Sequence, residues 1–105
     1  MHDLRSLTWS HLEAARSAPN GRSAELVVRD GELRQSVVAL TAGSELGEHN
    51  APRAATLQVL HGRVRVTSPS GGAEIGTGCL QLVAHERHAV VAIEDAVFLL
   101  TTLTS

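Results

Sequence analysis

From residue 24 to residue 103 the chain keeps returning to a period of two. Short apolar–polar alternations are cut by turn signals every ~8–12 residues, the sequence form of a β-sandwich or a closed β-barrel. Ala24 to Arg29 reads as a strand and Asp30-Gly31 as a hairpin turn. Leu33 to Thr41 follows as a β-branched run. Thr56 to Leu60 is a strand that His61-Gly62-Arg63 bends sharply into Val64 to Thr67. A long turn over Ser68 to Gly72 leads to a short strand, Ala73 to Ile75, and Gly76-Thr77-Gly78 turns again. Cys79 to Val83, His88 to Ile93 and Ala96 to Leu103 complete the set, with Glu94-Asp95 between the last two. Periodicity alone leaves a jelly roll, a lipocalin-like barrel and an immunoglobulin-like sandwich all open.

One segment has the other period. Residues 6–18 predict a short helix, capped by Ser6 or Ser10, with Glu13 completing a capping box with Ser10. Trp9, Leu12 and Ala15 or Arg16 fall at three- and four-residue steps, and Pro19-Asn20-Gly21 stops the run. Such a helix covers an open edge or mouth of the sheet; the alternative is a dimer contact built on Trp9.

Bulk properties narrow the classes of function. The 105 residues make one domain, 1–105, with the barrel over about 24–103, and an apolar content of 43% excludes a disordered chain. The formal net charge is −2 and the charges are interleaved, so there is no basic stripe for nucleic acid. Trp9 and Phe98 are the only aromatic residues, leaving little for stacking bases. No apolar run approaches a membrane span, and the N-terminus lacks an apolar signal core. Cys79 is the only cysteine, which fits a reducing cytoplasm, and its apolar strand context assigns it to the core rather than to nucleophilic chemistry. Lysine is absent, and no Gly-x-Ser-x-Gly elbow or glycine-rich phosphate loop is present.

The stretch from Gly43 to Gly62 carries the strongest pattern. Gly43, His49 and Gly62 match the first motif of the cupin family, Gly-x5-His-x-His-x3,4-Glu-x6-Gly. Ala51 stands at its second histidine and Ala55 at its glutamate. Residues 79–92 are similar to the second cupin motif, with its histidine at His88 and Val83, His85 and Ala92 at the proline, glycine and asparagine positions. The order and separation of the two motifs are right. The chain therefore resembles a small single-domain, RmlC-like cupin with a degenerate metal site. The resemblance implies an all-β jelly-roll barrel with one short N-terminal helix.

In metal-bearing cupins the first motif supplies two histidines and a carboxylate, and the second supplies the last histidine. The resemblance thus makes His49 and His88 the metal candidates, with His85 and His61 as secondary ones. Ala51, Ala55, Leu57 and Val59 become cavity-lining positions. Strand alternation from Ala55 would aim His61 into the barrel at the far end of the strand and turn Gln58 away. Ala51 and Ala55 offer no donor atom, and two imidazoles fall short of the three protein ligands of a catalytic site. The expected cofactor is none, or a divalent transition metal (Zn, Fe, Mn or Ni) at low occupancy.

The expected function is a small-ligand-binding or accessory domain with a weakened metal site, rather than a conventional metal-dependent cupin enzyme. One alternative is such an enzyme, an oxygenase, isomerase or decarboxylase that uses His49 and His88 with a replacement ligand. The other is a purely structural dimeric barrel. Both parities are apolar at Val27, Val28, Val37 and Val38, and a strand apolar on both faces expects cover on both. That predicts a C2 homodimer through residues 24–41, with Trp9 at its rim.

Overall fold

A computed structural model describes residues 1–49, 53–83 and 87–104, with the backbone alone at Glu48 and His49. The order of elements is α1 (Leu4–Ser17), β1 (Arg22–Asp30), β2 (Leu33–Leu40), β3 (Glu45–His49), β4 (Ala54–His61), β5 (Arg63–Ser68), β6 (Gly71–Gly76), β7 (Leu80–Leu82), β8 (His88–Ala92) and β9 (Ala96–Leu103). Two antiparallel sheets face each other: β1-β2-β9-β4-β7 and β3-β8-β5-β6. Neighbours distant in sequence are paired in both, as in a jelly roll.

Inward positions of both sheets meet in one aliphatic core. Val38, Leu40, Leu57, Val59 and Phe98 from the larger sheet pack on Val64, Val66, Ile75, Val90 and Ala92 from the smaller. A second cluster lies on the outer face of the larger sheet, where Leu12 and Ala15 of α1 cover Val37, Ala39 and Val97. This answers the both-parity apolar pattern of β2. Val38 faces the barrel, and Val37 faces the helix of its own chain.

The helix begins two residues before the predicted start. Asp3, not Ser6 or Ser10, is the N-cap, and its carboxylate accepts the Arg5 and Ser6 backbone N–H groups. Cys79 is exposed rather than core, because it falls in the turn before β7, where its N–H donates to the Gly76 carbonyl. Gly62 makes the β4–β5 bend at φ +82°, and a Cβ there would run into the Asp95 carbonyl oxygen. Among the described residues, no helix is long and apolar enough to cross a membrane.

Candidate functional site

His88 opens β8, and the backbone pairing fixes where it faces. Alternate residues of a strand share a face. Val90 and Ala92 belong to the barrel core, so His88 shares their inward parity, and it is 2% exposed. Its Cα partner on the neighbouring strand is His49, at the end of β3 beyond a bulge that follows Leu46. The two histidines of the motifs therefore occupy paired positions on adjacent strands. Besides Thr8, His88 is the only buried polar residue among those described.

Around it the barrel is apolar. Ala55, at the carboxylate position of the first motif, is 4% exposed within the barrel core, and Leu57 and Val59 continue that inward row. Three of the four expected cavity-lining positions thus face the interior. The fourth, Ala51, and the candidate His85 lie outside the described residues. Among the described residues no group of three or more His, Cys, Asp or Glu converges. The donor set does not fit a three- or four-ligand metal centre of the usual kind, because two motif positions hold alanine side chains without a donor.

His61 does not enter the barrel. A bulge between Val59 and His61 makes Leu60 an extra residue, so His61 pairs with Val97 instead of Ala96. Val97 belongs to the helix-covered cluster, and His61 turns out with it. Its ring meets Trp9 edge-on, with centroids 4.9 Å apart.

The barrel end that holds His88 has a groove beside it. The β5–β6 hairpin and the end of β7 enclose about 280 Å³, lined by Ser68, Ser70, Gly71, Gly72 and Gln81 over Val66 and Val83. Val66 pairs with Val90, one inward step along β8 from His88. The Val83 N–H donates to the Ala55 carbonyl, which brings the motif position and the groove to the same end. Serine hydroxyls and an amide above an aliphatic floor suit a small ligand with polar, uncharged groups.

His11, expected from the sequence to be exposed, is instead largely covered, with a side chain only 13% exposed. Its Nε2 lies 2.9 Å from Glu25 Oε1 and its Nδ1 lies 2.8 Å from Ser23 Oγ. The carboxylate can only accept, so Nε2–H donates to it, and Nδ1 shares the other bond with the Ser23 hydroxyl, which can donate or accept. This is the connectivity of a hydrolase triad, without the donors an oxyanion needs. The nearby Gly21 N–H is spent on the Ala18 carbonyl and the Arg22 N–H on Asn20 Oδ1. His11 therefore clips α1 to β1. Partners 12 and 14 positions away leave no local sequence signal.

No protein-family model matches the chain, and no curated protein matches it. Solved structures do. A protein of unknown function from Streptococcus pyogenes superposes with a TM-score of 0.74 at 24% identity, over 84% of this chain and 78% of that one. A cupin superfamily protein from Desulfitobacterium hafniense gives 0.74 at 16% identity, over 80% and 78%. A salicylate 1,2-dioxygenase from Pseudaminobacter salicylatoxidans gives 0.77 at 17% identity, over 92% of this chain but 33% of that one.

Proposed function

The fold is the cupin-type jelly roll, and on it we propose a small-ligand-binding barrel with a weakened metal site. One observation carries the reading: His88, a buried imidazole on the inward face, sits at the barrel end where the hydroxyl-lined groove opens. Among the described residues the barrel interior is otherwise aliphatic, so that imidazole, with the Ser68, Ser70 and Gln81 groups of the groove, would orient a bound molecule by hydrogen bonding. His49 and His88 are the metal candidates in this reading, and with Ala55 facing inward they make a poor cage. Any metal is then held loosely, and the domain acts as a binding or accessory module rather than a conventional metalloenzyme.

The test is metal titration of the untagged protein, followed by calorimetry. The expected result is substoichiometric Zn, Mn, Fe or Ni after purification. Ala55→Glu combined with Ala51→His is expected to raise affinity at least tenfold. About one tightly held metal per wild-type chain would overturn the weakened site and favour the enzyme. A second reading, a purely structural barrel, is favoured by the fully buried Leu57, Val59 and Phe98, which fill its middle. A fragment screen by NMR that leaves the His88 resonances unmoved would support it.

We propose further that the chain forms a homodimer. Val37 and Val97 already have cover from α1. The partner's cover is needed on the other half of that face, where Leu80 and Leu82 of β7 are 65% and 66% exposed.

A further inference from the structure

The β4 bulge that removes His61 from the barrel also builds something outside it. Bulges re-aim side chains and recur beside binding sites. Here the re-aimed imidazole, the first turns of α1 and Leu60 enclose a cleft of about 220 Å³, lined by Leu4, Arg5, Thr8, Trp9, Leu60 and His61. Arg5 and Trp9 stand four residues apart on the helix, so they project from the same side. His61 meets Trp9 at 62°, edge against face, and Trp9 remains 54% exposed. Leu60 packs on the helix-side cluster and gives the cleft an apolar floor.

The charges are unevenly spent. Asp95, in the turn before β9, already accepts from the Ala42 N–H and from Arg16 Nε. Asp3 is engaged by its N-cap bonds. Among the described residues Arg5 forms no ion pair or side-chain hydrogen bond, and its guanidinium acts on Asp3 only as the weakest of the influences on that carboxylate. The cleft thus offers an indole, an imidazole and a guanidinium with no ion pair among the described residues, over aliphatic carbon. A cavity of ~150 Å³ accommodates one benzene ring, which leaves room here for one polar substituent. A planar guanidinium fork matches a carboxylate, and an indole matches a flat ring.

We infer that this helix–bulge cleft binds a single-ring aromatic carboxylate, with Arg5 on the carboxylate and Trp9 and His61 against the ring. The inference is independent of the barrel reading, since the cleft lies on the outer face of the larger sheet and its failure leaves the His88 end untouched. Trp9 is the only tryptophan, so its fluorescence reports on this cleft alone. The probe is benzoate, titrated into the full chain at neutral pH, with benzyl alcohol and acetate as half-ligands and the indole Nε1–H shift as a second readout. A saturable response with a Kd on the order of 1 mM is expected for benzoate. Each half-ligand should bind at least tenfold more weakly, and so should benzoate to Arg5→Gln. Arg5 is exposed, so that variant keeps the fold. Equal binding of benzyl alcohol, unchanged binding by Arg5→Gln, or no saturable response to benzoate would each overturn it.

Discussion

Asp95 ties three segments together with one carboxylate. Its Oδ1 accepts the Ala42 N–H at 2.8 Å and its Oδ2 accepts Arg16 Nε at 3.0 Å, joining the β8–β9 turn to the β2–β3 turn and to the end of α1. The backbone bond first and the guanidinium second hold its pKa below the ordinary value. A depressed carboxylate stabilises the fold fully above its unfolded pKa of about 3.9, and that contribution fades as pH falls through the lower, folded value. Asp95→Asn should therefore cost about 0.5–1 kcal/mol at pH 7, modest because the pair is partly solvated. The loss should shrink towards pH 3; urea denaturation at the two pH values checks it, and an equal loss at both would contradict the assignment. Gly62, one strand away, has no such tolerance. Its φ is +82°, and an added Cβ would fall on the Asp95 carbonyl, so there is no space for a side chain. Gly62→Ala should lose more than the roughly 1–3 kcal/mol of left-handed strain alone, measured as a fall in urea midpoint.

At the scale of elements, α1 is the piece whose role the sequence concealed. Its amphipathic steps at Leu12 and Ala15 were legible, and both are fully buried. What they pack against was not, because Val37, Ala39 and Val97 come from strands 20 or more positions away. Leu12→Ala should cost about 2–5 kcal/mol by opening a cavity between helix and sheet, read from thermal or urea unfolding. A loss under 1 kcal/mol would mean the helix is only loosely docked. The strands themselves were readable where alternation is clean: β9 runs Ala96–Leu103 and β8 starts at His88, both as expected. β3 (Glu45–His49) was submerged in the glycine-rich motif, where no alternation marks it. The inward row Ala55, Leu57, Val59 followed from period two, and His61 broke from it because a bulge is a register event that periodicity does not encode. Trp9 fell at the same helical steps as Leu12 and was expected on the covering face or in a dimer contact, yet it is 54% exposed, and its His61 partner depends on that same bulge.

For the whole molecule, the question is which face a second copy would cover. The expectation from residues 24–41 rested on valines of both parities. Val38 is 4% exposed in the barrel core and Val37 lies beneath the helix. Val38→Arg would therefore bury an unpaired charge and unfold the chain rather than divide a dimer. The proposed interface moves to the half of the larger sheet that α1 leaves open. There Leu82 pairs with Thr56 and Leu103 with Ala54 and Leu33, and these residues line or adjoin an almost wholly apolar groove of about 250 Å³. The edge strand β7 is only three residues long and exposed throughout, so it presents unpaired backbone groups as well. Leu82→Arg removes apolar surface that the monomer leaves in water, so it should not weaken the fold. In a dimer it would place a charge against the partner's leucines and weaken association by at least tenfold. Light scattering at micromolar concentration should show a dimer for the wild type and a monomer for Leu82→Arg. A wild-type monomer would end the proposal, and a variant that stays dimeric would move the interface off this face.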